Sequence, residues 1–172
     1  MVKTVRLASD LQTDSIVDGD GIRTVIWFQG CPHNCPECHN PESHDFSGGT
    51  EYLIDDILKH MESLENQKGI TFSGGEPMMQ PEALVIIAKK AKELGLDIWS
   101  WSGFTFEELL EFSKNKPIYK EVLENIDILV DGRFEIALKS FSVKFRGSSN
   151  QRILDVKKSM QKKKAISYAK YQ

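Results

Sequence analysis

The chain has 172 residues and a formal net charge of −3; 40% of its residues are hydrophobic and 27% are charged. This composition is that of an ordinary soluble globular chain, for which one domain over residues 1–172 is expected, and the net charge argues against generic nucleic-acid binding. The first residues lack the apolar core of a secretory signal, and no stretch approaches the roughly 18 apolar residues of a membrane helix. We therefore expect a cytoplasmic protein without a nucleic-acid or membrane partner.

Apolar runs of strand length alternate with segments of helical period, which predicts repeated βα units around a parallel sheet. The first convincing strand covers residues 24–30, after a weaker extended pair at 2–7 and 16–18. Apolar residues then recur at three- and four-residue spacing over 52–64, which predicts an amphipathic helix that Thr50 is available to cap.

The same alternation continues through the rest of the chain. Pro81 is expected to open a helix that stops at Gly95, Thr105 and Glu108 form a capping-box pattern, and a short helix is expected to begin at Pro117. Further strands are expected over residues 69–75, 96–103, 126–132, 142–145 and 152–156.

A complete eightfold barrel usually takes about 250 residues. Five or six βα units in this shorter chain therefore predict an α/β fold of the incomplete (β/α) barrel type, open along one side. The open side leaves room for a large partner. From about residue 157 the chain becomes a basic tail, which we interpret as a solvated, partly frayed terminus, although it could also dock an acidic partner.

All three cysteines of the chain fall on the loop after the first predicted strand, in the spacing C-x3-C-x2-C at Cys31, Cys35 and Cys38. Thiolates this close repel one another unless a cation or a cluster neutralises them, so the spacing indicates a metal centre. Zinc would take a fourth ligand from a histidine, whereas a cubane cluster would keep one iron without a protein ligand. The candidate histidines are His33, His39 and His44.

The stretch GGEP at residues 74–77 directly follows the second predicted strand of the parallel series. Glycines let a ligand approach the backbone, and strand-end carbonyls together with the Glu76 carboxylate can accept hydrogen bonds from an ammonium group. Alone, these four residues are also typical of a plain strand-to-helix turn. Both this stretch and the cysteines fall at the carboxyl ends of predicted strands, the face on which barrel enzymes build their sites.

The stretch GDGIRTVIWFQGCPHNCPECHN at 19–40 resembles the signature of the glycyl-radical activating enzymes, which belong to the radical S-adenosylmethionine family. Trp27 stands where that signature usually has Phe. Farther along, DGRF at 131–134 and FRGSSNQR at 145–152 resemble the branch that activates the anaerobic ribonucleoside-triphosphate reductase. Besides the cysteines, the matching residues of the signature are Gly19, Gly21, Arg23, Gly30 and Asn40.

The resemblance implies an enzyme with a [4Fe-4S] cluster on the three cysteines and S-adenosylmethionine on the open iron. Reductive cleavage would give methionine and a 5′-deoxyadenosyl radical, which would take a hydrogen atom from a glycine of the reductase. The implied partners are the glycyl-radical subunit of that reductase and a low-potential electron donor of the flavodoxin or ferredoxin type. The implied contacts of S-adenosylmethionine are Glu37, Cys38, His39, Gly74, Gly75, Glu76, Ser102 and Asn150.

Several alternatives remain open from the sequence. With the same chemistry, the target could be another glycyl-radical enzyme or a small metabolite. The protein could also be a non-catalytic zinc-binding module, in which a Cys3His site would hold the loop in place and the basic tail would recruit a partner. Asp131 and Arg133 are either ligand contacts or an ion pair that fixes a loop.

Overall fold

In the computed structural model, which describes residues 1–171, eight strands form one sheet with helices packed on it. None of the described helices combines the length and the apolar character that crossing a bilayer requires. The helices are α1 (Ile54–Glu62), α2 (Pro81–Glu93), α3 (Phe106–Asn115), α4 (Ile118–Asn125) and α5 (Val156–Lys162). The strands are β1 (Thr4–Leu7), β2 (Gln12–Ser15), β3 (Arg23–Phe28), β4 (Thr50–Leu53), β5 (Gly69–Gly74), β6 (Asp97–Ser102), β7 (Ile128–Asp131) and β8 (Arg152–Asp155).

The strand order is β4-β1-β3-β5-β6-β7-β8, with β2 paired to β3. The neighbours β3, β5, β6 and β7 run parallel, and every other pairing is antiparallel. The fold is therefore mixed α/β with a mostly parallel central sheet. The prediction of five or six repeated units is too high, because only four strands are parallel. Only a short 3-10 helix at Ile136–Leu138 lies between β7 and β8, and without an α-helical crossover the chain returns antiparallel.

The two faces of the sheet have different coverings, because successive side chains of a strand point to opposite faces. On one face, which we call the helix face, Ile26, Phe72 and Leu129 pack with apolar residues of α1 to α5 in the main core. The opposite face, which we call the open face, presents Trp99 and Val130 in a smaller cluster to which α1 to α5 contribute no residue. This open face contains the candidate site.

Most predicted elements are confirmed, including the capping box of Thr105 and Glu108 at the start of α3. Thr50 does not cap α1: it begins β4, which pairs with β1, and the helix starts at Ile54. The strands predicted at 16–18 and 142–145 are also wrong, since these residues form bends and turns. Residues 12–15 form the strand β2 instead, which pairs with β3 in the antiparallel direction.

The basic segment is not frayed over its described residues: it begins with α5 on the helix face, and Tyr168 and Tyr171 then lie on the open face. After α5, the rings of Tyr168 and Tyr171 approach Trp99, with centroid separations of 6.4 and 6.2 Å. The Tyr171 hydroxyl donates a hydrogen bond of 2.8 Å to Asp20, and Lys170 also pairs with that carboxylate. Aromatic packing thus fixes the segment.

Candidate functional site

A cavity of about 560 Å³ opens at the carboxyl ends of the parallel strands. Its volume lies within the usual range of about 300–1,000 Å³ for small-molecule sites. The three cysteines and the turn after β5 both line it, although about 35 residues separate them in sequence. The sequence expectation that these motifs meet at one face is confirmed. Residues of the lining that belong to the two motifs are Cys31, Cys35, Cys38, Ser73, Gly74 and Gly75.

The cysteine loop follows β3 and is fixed by backbone hydrogen bonds to residues farther along the chain. The amide of Gly30 donates to the Ser43 carbonyl at 2.7 Å, and the amide of Cys31 donates to the His44 carbonyl at 3.1 Å. All three cysteines are half-buried and free of disulfides. Among the described residues, no three His, Cys, Asp or Glu side chains are grouped closely enough to hold a single metal ion.

Two of the thiols are disfavoured as free thiolates. Burial raises the pKa of Cys31 to about 11, and the nearby charge of Glu76 acts in the same direction. Burial also raises the pKa of Cys35. A bound cationic centre would stabilise the deprotonated form, since metal ligation requires thiolates. Three soft donors that line one cavity therefore fit an iron–sulfur cluster.

The turn after β5 requires its two glycines. Gly74 has a φ of +103°, and a Cβ on it would lie 2.4 Å from the Phe28 carbonyl oxygen. A Cβ on Gly75 would lie 2.5 Å from the Gly30 carbonyl oxygen. Hydrogen bonds from the amides of Gly75 and Glu76 reach the same two carbonyls, at 2.9 and 2.8 Å. Any larger side chain would push this turn away from the start of the cysteine loop.

The carboxylate of Glu76 is fully buried and does not line the cavity. It accepts hydrogen bonds from the Met78 amide at 3.1 Å and the Gly103 amide at 2.7 Å. Ser102 Oγ donates to it at 2.9 Å, and His33 Nε2 lies 2.6 Å away. A carboxylate offers about four lone-pair sites, so all of them are used within the protein.

Of the other residues that were predicted to contact S-adenosylmethionine, some line the cavity and some lie outside it. Ser102 lines it, although its hydroxyl is engaged with Glu76. Asn150 lies instead in a neighbouring cavity of about 400 Å³, where its Nδ2 donates to the Arg133 carbonyl at 2.8 Å. His39 lines the main cavity edge-on to Phe134, whereas Glu37 is exposed and outside the lining.

Asp131 and Arg133 have separate roles. Asp131 is fully buried and accepts hydrogen bonds from the Phe106 amide and from Arg152, so its ion pair is with Arg152 and not with Arg133. Arg133 lines the main cavity, and its Nε donates to His33 Nδ1 at 3.1 Å.

Comparisons with known proteins agree with this geometry. The sequence profile of the family described as "4Fe-4S single cluster domain" matches residues 17–154. The anaerobic ribonucleoside-triphosphate reductase-activating protein of Escherichia coli K12 is 34% identical over 144 residues, which are 79% of this chain and 90% of that protein. The chain belongs to the family of these activating proteins. The matched domain is described as one with a single 4Fe-4S cluster.

Further relatives of this activating-protein family are similar over different shares of their length. The protein of the same name from Pasteurella multocida is 33% identical over 145 residues, covering 79% of this chain and 89% of that protein. The pyruvate formate-lyase-activating enzyme of Clostridium pasteurianum is 38% identical over 110 residues, covering 59% of this chain and 46% of that enzyme. Among solved structures, QueE from Escherichia coli has a TM-score of 0.49 at 14% identity, over 59% of this chain and 53% of that one.

Several aromatic residues that line the cavity were not predicted from the sequence. Trp27 and Trp101 line the cavity from β3 and β6, and strand alternation could have placed them on the open face. Phe134 and Phe145 line it from the loop at 132–151. They lie within the segments DGRF and FRGSSNQR, but that loop has no periodicity from which their direction follows.

Proposed function

We propose that this chain activates an anaerobic ribonucleoside-triphosphate reductase by generating a glycyl radical on it. The observation that carries the proposal is that three half-buried thiols and the Gly74–Gly75 turn line one cavity. The choice of target is supported by length, since the chain spans 90% of the Escherichia coli reductase-activating protein but 46% of the pyruvate formate-lyase-activating enzyme.

Cys31, Cys35 and Cys38 would hold a [4Fe-4S] cluster with three thiolates, which leaves one iron without a protein ligand. With the cluster and S-adenosylmethionine bound, the chemistry supplied is one-electron cleavage to methionine and a 5′-deoxyadenosyl radical, which removes a hydrogen atom from a glycine of the reductase. A flavodoxin or ferredoxin would deliver the electron. The protein itself binds, orients and dehydrates the reactants.

The backbone carbonyls at the end of β5 would accept the ammonium of the methionine part. Gly74 and Gly75 line the cavity and have no side chain that would shield those carbonyls. Glu76 would act through its negative charge, because its oxygens already accept four hydrogen bonds. Ser102 would position that carboxylate.

The nucleoside would lie toward the aromatic side of the cavity. His39 and Phe134 form an edge-on pair with centroids 5.2 Å apart, which offers a flat surface to adenine. Asn150 would contact the nucleoside only from the neighbouring cavity, and Glu37 would contact it only after a change in its loop. Trp27 and Trp101 would exclude water and lower the local dielectric around the reacting bond.

The sheet would form an incomplete barrel around this site. Its parallel strands converge on the cavity, while the antiparallel strands β4 and β8 end the sheet on either side. Such an open architecture would admit a glycine-bearing loop of the reductase to the cavity mouth.

Anaerobic reconstitution with iron and sulfide tests the cluster. We expect about four irons per chain, and a Cys35→Ser variant should lose the cluster. A His44→Gln variant is the matched control, because it retains all three cysteines and removes a histidine that could serve a zinc site. One zinc per chain, or an unchanged cluster in Cys35→Ser, would contradict the proposed ligation.

Incubation of the reduced protein with S-adenosylmethionine and a candidate target tests the reaction. We expect 5′-deoxyadenosine together with a glycyl-radical signal on the anaerobic reductase. Pyruvate formate-lyase serves as the control acceptor. A radical on the lyase but not on the reductase would contradict the choice of target.

A further inference from the structure

His33 lies between the first two cysteines, and both of its ring nitrogens are engaged. Its side chain is only 4% exposed, and its Nε2 lies 2.6 Å from Glu76 Oε1. Arg133 Nε donates to its Nδ1 at 3.1 Å. An arginine has only donors, so Nδ1 must accept and Nε2 carries the proton that is donated to Glu76. This arrangement requires the neutral tautomer and leaves neither nitrogen for a metal.

Glu76 connects this histidine to two strands of the sheet. Its other donors are the Met78 amide after β5, and the Ser102 hydroxyl and Gly103 amide at the end of β6. The contact between His33 and Glu76 is therefore a side-chain bond from the cysteine loop to the ends of both strands. Because Glu76 is fully buried, loss of this donor would leave part of a charge unsatisfied.

The imidazole ring is also enclosed by close packing. A Cβ on Gly103 would lie 2.4 Å from the ring, so a glycine is needed there. The ring of Phe104 meets it edge-on at a centroid distance of 4.5 Å. Arg133 approaches from the loop at 132–151, with a side chain that is 54% exposed. Three separate segments thus meet at His33.

We propose that His33 is a positioning residue: through Glu76 it fixes the cysteine loop against β5 and β6, and Arg133 fixes its tautomer. By this contact it sets the geometry in which the cluster meets S-adenosylmethionine, and it offsets the field of the buried Glu76 charge at the cluster. The inference rests on the proposed function and adds to it a cavity-lining residue whose two ring nitrogens are both engaged within the protein.

Three variants separate the polar contacts from the packing. His33→Phe keeps a ring against Phe104 and removes both hydrogen bonds. His33→Gln can place an amide donor near the position of Nε2, so it should restore the bond to Glu76. Arg133→Met removes the donor to Nδ1, together with a long, exposed ion pair to Glu108, and leaves no buried charge. His60→Phe is the matched control, since His60 is exposed on α1.

The cluster readouts are the reduction potential and the change in the electron paramagnetic resonance spectrum when S-adenosylmethionine is added. For His33→Phe we expect a lower potential and at least tenfold weaker affinity for S-adenosylmethionine at wild-type iron content. His33→Gln should recover most of this loss, Arg133→Met should show a smaller loss, and His60→Phe should match the wild type. Wild-type potential and affinity in both His33→Phe and Arg133→Met would overturn the proposal.

A measurement on the protein without its cluster tests this inference separately from the proposed function. In the apoprotein, alkylation of the cysteines by iodoacetamide reports how firmly the loop is fixed. We expect at least fivefold faster alkylation in His33→Phe and near-wild-type rates in His33→Gln. If the wild type binds no cluster, the proposed function fails, while equal alkylation rates in all variants would refute the positioning role. If His33→Phe does not fold, unchanged alkylation in Arg133→Met would refute it.

Discussion

The same strands form both faces of the sheet, but the two faces differ in what covers them. On the helix face, β6 presents Ile98 to an apolar core that is covered by the five α-helices. On the open face, the same strand presents Trp99 and Trp101 to a cavity and to a few aromatic side chains. One face is closed by packing, and the other is only partly covered.

This difference indicates where stability and function reside. The helix face buries mainly apolar area, so it contributes mainly to the free energy of folding. The open face has the thiols, the glycine turn and an aromatic wall, by which we mean the cavity-lining Trp27, Trp101, Phe134 and Phe145. It is covered by the loop at 132–151 and by the segment after α5. Substitutions on the helix face should therefore lower stability, whereas those on the open face should lower binding.

The largest expected effect comes from the helix face. Leu84 in α2 is fully buried, so Leu84→Ala should lower the free energy of unfolding by about 2–5 kcal/mol through lost burial and a residual cavity. Chemical denaturation of the apoprotein measures this change. Leu94→Ala, at the half-exposed position after the same helix, should change the stability by less than about 1 kcal/mol. Equal losses in the two variants would contradict the comparison.

A substitution of Trp101 on the open face should lower stability less but should clearly weaken the binding of S-adenosylmethionine. Trp101 Nε1 donates to the Phe145 carbonyl at 3.1 Å, and the ring lines the cavity. Trp101→Phe should cost about 1 kcal/mol of stability but weaken the binding of S-adenosylmethionine to the reconstituted protein severalfold.

Tyr119→Phe provides the matched control for Trp101→Phe. Its hydroxyl donates to the Met78 carbonyl at 3.0 Å, so this variant also loses one side-chain bond to a backbone oxygen. Tyr119 does not line the cavity, and its substitution should leave binding unchanged. If both variants lost affinity equally, the aromatic wall would have no specific role.

The smallest effect concerns the segment that covers part of the open face. Lys68, Lys170 and Tyr171 bond to the Asp20 carboxylate and hold its pKa well below its usual range. A depressed pKa stabilises the fold above the ordinary carboxyl value of about 4, and this contribution is lost as the pH falls further. Asp20→Asn should therefore cost about 1 kcal/mol or less at pH 7.

The test of this last prediction is the pH dependence of unfolding. The stability difference between wild type and Asp20→Asn should shrink as the pH falls below about 4. Glu111→Gln, which removes an exposed ion pair with Lys114 on α3, is the control and should show almost no difference at either pH. A difference that does not depend on pH would show that the carboxylate charge is not the cause.

Much of the site could be read from the sequence because its parts are local. The cysteine spacing, the glycine turn and the strand before each are encoded within a few residues, and parallel strands bring their carboxyl ends to one edge. The capping box of α3 is equally local. These features needed no knowledge of distant contacts.

Other features depend on contacts between residues far apart in the chain. Thr50 begins a strand and not a helix cap because β1 offers it an antiparallel partner. Glu76 is a buried acceptor of four bonds because β6 and the cysteine loop bring donors to it. The terminal tyrosines pack on Trp99, where composition alone indicated a frayed end. The sequence by itself thus determined the local elements and their chemistry, and only the tertiary structure decided which groups meet, since periodicity and propensity contain no information about distant partners.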